Sequence, residues 1–266
     1  MSSGQKVGAA VFSSIVVGTA SMGVWQTNRY FWKLDVIEQR KKRLDEPVVT
    51  LPSDVTAATV ADDLEFRPLK LDGIFVPGST FYLYPRSPPI DMQDTKGGRV
   101  SSGGYIYQLF QRQNGTSVMV NRGWLPKADM EAHRDAAPSP ASSKVETIVG
   151  LLVQGEEVRM EKTFSPPNEP EKRHFFWLNQ PQLAHAMGAT EYVPVLVDQV
   201  APDDDTERPA GEPCRKAKQN YLEFYMTPWK HATYAGIWFT LAILGTGMVV
   251  TRFRPAATRR VKPVHR

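Results

Sequence analysis

The sequence has a single cysteine, Cys214, among its 266 residues. One cysteine excludes an intrachain disulfide and any zinc or copper site built from several thiolates. The five histidines are scattered, without the short spacing of a sequence-local metal site. They are His133, His174, His185, His231 and His265. We therefore expect no metal site formed from neighbouring residues.

The chain also lacks the short motifs that mark common enzyme classes. It contains no Gly-x-Ser-x-Gly nucleophile motif, no P-loop and no Gly-x-Gly-x-x-Gly segment before a helix. Its acids are dispersed, and the adjacent pairs Asp62-Asp63 and Glu156-Glu157 would point to opposite faces of a strand. We expect a protein that binds or assembles others rather than an enzyme. An enzyme acting at a membrane is the weaker interpretation.

Charge is absent from two long runs, residues 7–28 and 232–251. A helix needs roughly 20 apolar residues to cross the hydrocarbon core of a bilayer. Both runs are predicted to be transmembrane helices. The first, rich in Gly, Ala and Ser, also fits a secretory signal peptide. Its length and the aromatic residues at its end favour a helix that is retained; these are Trp25, Tyr30, Phe31 and Trp32.

The patterns predict a membrane protein of the α+β class, in which two transmembrane helices flank a mainly antiparallel β-barrel or sandwich-like domain. The predicted boundaries are a short tail at 1–6, a transmembrane helix at 7–28, an amphipathic extension at 29–46, the β-rich domain at 47–227, a second transmembrane helix at 228–251 and a basic tail at 252–266. The extension places Leu34 and Leu44 on one face. Its opposite, basic face at 39–43 is expected to be solvated or close to lipid headgroups.

Period-two patterning with turn residues at the boundaries predicts the strands. They are Phe66–Val76, Thr80–Arg86, Gly104–Arg112, Thr116–Trp124, Val145–Gln154 and Val193–Val200. Asn114-Gly115 predicts a hairpin with a type I′ turn. A short helix is expected at 180–187, with loops at 91–102 and 201–214.

Small residues recur every four positions in both apolar runs, at Ala10, Ser14 and Gly18 and at Ala232, Gly236 and Thr240. Such stripes let helices approach closely in lipid. We hypothesise that the two stripes face each other or face the helices of a partner. The alternative is that they reflect only the abundance of small residues in membrane helices.

Six polar and aromatic residues would meet where both helices leave the bilayer on the side of the β-rich domain. They are Trp25, Gln26, Arg29, Trp229, His231 and Tyr234. His231 has the chemistry of a haem-iron ligand, and Arg29 that of a partner for a haem propionate. The alternative is that both mark the interface, with their polar tips among headgroups. Charge counting does not orient the hairpin, because basic residues flank both sides. The mildly acidic middle of the chain argues against nucleic acid as a partner.

Several segments together resemble the Surfeit locus protein one family, in the order that the family has them. They are GVWQTNRYFWKLDVIEQR (23–40), LEFRPLKLDGIF (64–75), FYLYPR (81–86), GGYIYQLF (103–110), VMVNRGWLP (118–126), GLL (150–152) and PPNEPEKRHFFWL (166–178). The resemblance covers most of the chain from Gly23 to about Asp198.

This resemblance implies an assembly factor for cytochrome c oxidase that assists maturation of the haem a-containing subunit. It implies two spans in the mitochondrial inner membrane with the β domain in the intermembrane space, or in a bacterial inner membrane with that domain in the periplasm. The expected partners are oxidase subunits, above all the haem-bearing core subunit, and membrane lipid. Haem a would be held transiently near His231, Arg29, Gln26 and Trp25. The alternative is a permanent structural subunit of a respiratory complex with no haem role.

One departure concerns the family pattern N-H-L-x-Y-A-x-T-W-F/Y-G at the second span. Aligned on Thr233 and Gly236, its histidine falls on Thr227, and the nearest histidine is His231. This alignment favours the structural-subunit alternative. A second departure is that six residues precede the first run, with no Arg- and Ser-rich presequence. We expect a processed chain, an internal import signal or a bacterial source.

Overall fold

The computed structural model describes residues 2–53, 55, 64–89, 102–135, 145–153, 166–189, 192–201 and 211–254. The chain forms two compact units, one of Met1–Glu38 with Phe224–Arg266 and the other of Gln39–Glu223. Four α-helices are described: α1 Ser3–Leu44, α2 Lys127–Asp135, α3 Gln180–Ala186 and α4 Pro228–Phe253. The predicted loop at 91–102 lies almost wholly outside the described residues, as do most of the loop at 201–214, both adjacent acid pairs and most of the basic tail.

The first unit consists of α4 and most of α1, and both helices are long and apolar enough to cross a membrane. This confirms the two predicted helical spans. Ser2 and Gln5 form a capping box at the start of α1, in which each backbone N–H donates to the other side chain, at 2.8 and 3.3 Å. α1 does not end at residue 28 but continues without interruption through the predicted extension.

Glycines bring α1 and α4 together, but not the glycines of the predicted stripes. A Cβ at Gly23 would lie 2.7 Å from the Phe239 ring, and one at Gly245 would lie 2.8 Å from Val16. At Gly18 and Gly236 nothing lies within 4 Å of that position. The hypothesis that the two stripes face each other is therefore wrong, because large side chains fill the notches made by other glycines. That a partner's helices cover the stripes stays a prediction.

The described residues of the second unit form eight strands: β1 Val49–Thr50, β2 Pro68–Phe75, β3 Phe81–Arg86, β4 Gly103–Arg112, β5 Ser117–Pro126, β6 Glu146–Val153, β7 His174–Phe175 and β8 Tyr192–Gln199. All six predicted strands are confirmed, with ends that differ by two residues or fewer. The short helix predicted at 180–187 is α3. The sequence patterns missed α2 and the two-residue strands β1 and β7.

Five of the strands close into a barrel. β2 pairs with β6, β6 with β8, β8 with β5 and β5 with β4, and β4 pairs back onto β2. Every pairing in this ring is antiparallel except that of β5 with β8. β3 extends the sheet from β4, and β7 from β3, while β1 lies beside β2. Of the two predicted alternatives, barrel and sandwich, the chain forms the barrel.

Alternating residues along the strands fill the barrel and cover its outside. Val118 and Val120 of β5 lie with Phe110 in one buried cluster. This cluster contains side chains from all five barrel strands. Met119, between Val118 and Val120, lies in a second cluster with Leu183 of α3. The short helix therefore packs against the outer face of the barrel.

The hairpin at Asn114-Gly115 joins β4 to β5 as predicted, but its turn is not type I′. Gly115 has a φ of +84°, whereas Asn114 does not have a positive φ. The Gly115 N–H donates to the Arg112 carbonyl at 3.0 Å, and Arg112 N–H donates to the Thr116 carbonyl at 2.8 Å. One left-handed glycine after an ordinary turn is the geometry of a three-residue loop. The Asn114 side chain stabilises it by accepting from Thr116 N–H at 3.1 Å.

The amphipathic extension differs from the prediction on both of its faces. Leu44 is buried, but Leu34 is 41% exposed. On the basic side, Arg40 donates to the Tyr221 carbonyl at 2.9 Å and lies 3.9 Å from the centre of the Phe66 ring. Its guanidinium group is therefore a packing element of the second unit and not a solvated charge.

Candidate functional site

A buried hydrogen bond joins α1 and α4 between Gln26 and His231. The Gln26 Oε1 and His231 Nδ1 atoms are 2.7 Å apart, and both residues are buried in the helical unit. An amide oxygen can only accept, so this orientation assigns the proton to Nδ1 and leaves the Nε2 lone pair available. A polar pair inside apolar helices satisfies two groups that would otherwise lose their hydrogen bonds to water.

The start of α4 sets the position of His231. Thr227 is the N-cap residue, and its Oγ1 accepts from the Lys230 backbone N–H at 3.4 Å. Pro228 follows at the first helical position, where its missing N–H is not needed. His231 then lies in the first turn and faces α1. Thr227 therefore has a structural role here, because its side chain starts the helix that carries the histidine.

Arg29, one turn after Gln26 on α1, lies among aromatic rings. Its Cζ is 4.2 Å from the centre of the Trp32 ring and 5.9 Å from that of Trp25. Within the described part of the chain its guanidinium group forms no ion pair or hydrogen bond. Stacking on indole rings holds the cation in place and leaves its N–H donors free for an anionic ligand.

The structure thus joins some of the six predicted interface residues and separates others. Gln26 and His231 are in direct contact, and Arg29 packs against Trp25. Trp229 and Tyr234 point away from the pair and are 76% and 46% exposed. Large exposed aromatics at a helix end are typical of a membrane interface.

The donor set at this site fits a haem by its chemistry. A neutral imidazole whose Nδ1 is held by a second residue presents Nε2 as an iron ligand. An arginine without an acidic partner suits a propionate. Among the described residues there is no group of three or more His, Cys, Asp or Glu side chains that would hold a metal ion by themselves.

A second polar centre, buried in the second unit, was missed by the sequence analysis. Asp198 of β8 accepts from Asn121 Nδ2 at 2.9 Å, from the Tyr221 hydroxyl at 2.8 Å and from Lys216 Nζ at 3.3 Å. Its residues come from three distant parts of the sequence. The one local signal was an aspartate inside the apolar run VPVLVDQV.

The electrostatics of this centre follow from burial. Burial and the neighbouring Asp198 raise the pKa of the Tyr221 hydroxyl well above its ordinary value. Burial also raises the pKa of Tyr105, whose ring lies 4.7 Å from Lys216 Nζ. Both tyrosines stay protonated, and Asp198 is satisfied by three donors, so the centre stabilises the fold.

The residues of the segment NRGW at 121–124 have structural contacts around this polar centre. Besides its bond to Asp198, Asn121 accepts from the Gly123 N–H at 3.0 Å. Gly123 has a φ of +129°, and a Cβ there would lie 2.5 Å from the Cys214 carbonyl oxygen. The buried Trp124 donates from its indole N–H to the Arg86 carbonyl at 3.0 Å. Asn121, Gly123 and Trp124 therefore build the barrel wall.

The segment at 166–178 is likewise held by one side chain, Asn168. Its oxygen accepts from the N–H groups of Phe176 and Trp177, and its Nδ2 donates to the Trp177 carbonyl and to Gln182. This places Phe175 in the cluster on the outside of the barrel. The structure therefore gives this segment a scaffolding role.

The profile of the SURF1 family matches residues 14–243, which include most of both long helices and the whole barrel. The chain belongs to the SURF1 family. The SURF1-like protein of Caenorhabditis elegans is 28% identical over 257 residues, covering 93% of this chain and 74% of that protein. The SURF1-like protein of Caenorhabditis briggsae is 28% identical over 244 residues, 88% of this chain and 71% of that protein. Surfeit locus protein 1 of Homo sapiens is 26% identical over 240 residues, 87% of this chain and 76% of that protein.

The family pattern at the second span matches more residues in a register other than the alignment on Thr233 and Gly236. Shifted by four residues, N-H-L-x-Y-A-x-T-W-F/Y-G meets the identical residues His231, Tyr234, Ala235, Trp238 and Phe239. The earlier register matched Thr233 and Gly236 alone. This register predicts that His231, and not Thr227, occupies the position of the family's histidine.

Proposed function

We propose that this chain is an assembly factor for cytochrome c oxidase that assists maturation of the haem a-containing subunit. Membership of the SURF1 family carries the proposal, because the match extends over residues 14–243 and so includes the helices as well as the barrel. A match to the barrel alone would leave the role of the membrane part open. The expected partner is the haem-bearing core subunit of the oxidase.

The buried pair in the helical unit supports a transient contact with haem a. His231 would hold the iron through Nε2, and Arg29 would bind a propionate. When bound, haem a supplies the redox-active iron of the oxidase. Gln26 fixes the proton on His231 Nδ1, at a distance of 2.7 Å, and so keeps the opposite nitrogen unprotonated. Trp25 and Trp32 hold the arginine side chain in one place.

The proposed role is binding and hand-over without catalysis. The described acids and histidines offer no nucleophile with an adjacent base near the site, which is what a covalent mechanism would need. The proposed location is the mitochondrial inner membrane with the barrel in the intermembrane space. A bacterial inner membrane, with the barrel in the periplasm, is the alternative.

A permanent subunit of a respiratory complex is the competing function. Its support is the alignment that places Thr227 at the family histidine, and the register that places His231 there weakens that support. The test is to delete the gene in its own host and complement it with the wild-type chain. We expect the haem a absorption of the oxidase to fall on deletion and to return on complementation. Stoichiometric recovery of the chain with the mature oxidase would establish the permanent subunit, and normal oxidase without the chain would overturn both.

The haem contact needs its own measurement. The full chain, purified gently with haem a available, is expected to show a haem a absorption band that His231→Ala removes. His185→Ala, on an exposed position of α3, serves as the matched control and keeps the band. A band that survives His231→Ala excludes His231 as the ligand.

The single cysteine gives a direct test of the orientation. Cys214 is partly exposed in the barrel unit, so an impermeant maleimide labels it only from the side that holds this unit. We expect labelling in mitochondria whose outer membrane is opened. Labelling that requires the inner membrane to be opened would place the barrel in the matrix.

A further inference from the structure

An apolar groove runs between α1 and α4 at the end where α1 begins and α4 ends. Its volume is about 440 Å³, and its lining includes Phe12, Ile15, Thr19, Leu241, Met248 and Arg252. The two helices are in close contact nearer the buried pair, where the Phe239 ring fills the notch at Gly23. The helices also touch along the groove, where a Cβ at Gly245 would lie 2.8 Å from Val16. The groove is therefore a depression beside this contact.

The groove has one polar end. Arg252 lines it there, and in the described part of the chain its guanidinium group forms no ion pair or hydrogen bond. Lys6 and Arg254 lie at the same end, because the first turns of α1 reach the Phe253 ring, 3.4 Å from a Cβ at Gly8. No aspartate or glutamate occurs in residues 2–34 or 224–254. The apolar groove thus ends at the cation of Arg252, in stretches of both helices that carry no acid.

We propose that this groove binds one anionic phospholipid, with an acyl chain between the helices and the phosphate on Arg252. Apolar walls exclude water and suit a hydrocarbon chain. The planar fork of arginine matches two phosphate oxygens. Basic pockets between membrane helices on one side of a bilayer bind anionic headgroups in this way.

The positive charge of Arg252 favours a lipid over a helix of a partner protein as the occupant of the groove. A partner helix that filled the apolar part would leave Arg252 without an anion unless it carried an acid at the same depth, which is costly in a membrane helix. An anionic lipid supplies the apolar chain and the phosphate in one molecule. This site lies at the opposite end of the helix pair from Gln26 and His231 and does not depend on the proposed function.

The test uses the full chain reconstituted with phosphatidylglycerol or with phosphatidylcholine of identical acyl chains. Native mass spectrometry then counts the lipids that stay bound after transfer to detergent. We expect one retained phosphatidylglycerol per chain and at least about fivefold less phosphatidylcholine, the effect of one cation at the surface. Arg252→Gln and Ile15→Trp, which remove the cation and fill the groove, each reduce retention of phosphatidylglycerol about fivefold or more.

Two matched variants control for charge and for bulk. Lys70→Gln removes a cation from β2, and Ile237→Trp adds the same bulk at an exposed position of α4, and both keep the lipid. Equal retention of the two lipids would overturn the proposal. Loss with Arg252→Gln but not with Ile15→Trp would mean surface attraction without a groove, and would also overturn it. If one of these variants fails to fold, the other and the comparison of the two lipids still decide.

Discussion

Asn121 and Asp198 face each other across the parallel contact between β5 and β8, and their side chains are joined by a hydrogen bond of 2.9 Å. The pair lies where the barrel ring is completed by its one parallel pairing. Parallel pairing is slightly less stable per residue than antiparallel pairing. A satisfied polar contact at this point fixes the register of the two strands.

Replacing Asp198 by alanine is expected to destabilise the barrel. The change leaves Asn121, Tyr221 and Lys216 without their acceptor in a buried place, and breaking such a pair costs about 3 kcal/mol. In a domain of this size that lowers the melting temperature by about 6–12 °C. The change in melting temperature is measured by thermal unfolding of the full chain in detergent, monitored by tryptophan fluorescence. Asp135→Asn, at an exposed position of α2, is the control and leaves the melting temperature within about 1 °C.

Tyr221 gives the fold a dependence on alkaline pH. Its pKa is raised well above 10 by burial and by Asp198, so the folded chain keeps a proton that the unfolded chain loses above that pH. Its contribution to stability is fully present below pH 10 and falls as the pH rises further, by up to about 1.4 kcal/mol per pH unit.

The matched variant for this prediction is Tyr221→Phe. It loses a hydrogen bond to a carboxylate and is expected to be about 2 kcal/mol less stable at pH 7. Its stability should then fall less steeply between pH 10 and 11 than that of the wild type. Denaturation at a series of pH values compares the two slopes, and equal slopes would contradict the assignment.

Gln26 and His231 are expected to show a measurable coupling energy. Hydrogen bonds between membrane helices contribute about 0.6 kcal/mol on average, and at most about 1.7. A double-mutant cycle with Gln26→Leu and His231→Leu, read from reversible unfolding in mixed micelles, should give a value in this range. Gln26 with Thr240, which is exposed on the same helix as His231, provides a cycle without contact. A coupling energy of zero for the first cycle would contradict the hydrogen bond.

Two glycines of α1, Gly23 and Gly18, should respond differently to the same substitution. Gly23→Leu forces a side chain into the Phe239 ring and is expected to cost about 1–3 kcal/mol through overpacking. Gly18→Leu meets open space and should leave the stability of the helix pair unchanged. Unfolding of both variants in mixed micelles makes the comparison. Equal losses would show that α1 presents a different face to α4.

The periodicity of apolar residues and the position of charged residues along the sequence allowed much of the fold to be predicted. The strands β2 to β6 and β8 are rich in β-branched and aromatic residues and are bounded by turn residues, and the two membrane helices lack charge because lipid does not solvate it. β4 and β5 are buried along almost their whole length, so their patterns alternate only in part. The helix α2 was missed because its sequence KADMEAHRD has one buried residue, Met130, and hence no apolar periodicity. The strands β1 and β7 are two residues long and show no pattern at all.

Contacts across long sequence distances were beyond local patterns. The acceptor role of Asp198 depends on Asn121 and Tyr221, which are brought together by the barrel. The closing contact of β2 with β4 likewise has no local signal, and this left barrel and sandwich undecided. Gln26 and His231 were proposed as site residues from their place at the membrane exits, and this stays a prediction, whereas their direct bond was not foreseen.

Because β8 pairs with both β5 and β6, the barrel cannot close until residue 199 has reached the side of the membrane where the barrel folds. Until then β5 and β6 each present unpaired N–H and carbonyl groups, the kind of edge that recruits strands from other chains. The chain is therefore most exposed to aggregation while residues 153–199 are still crossing the membrane, and a pause in translocation there would lengthen that period.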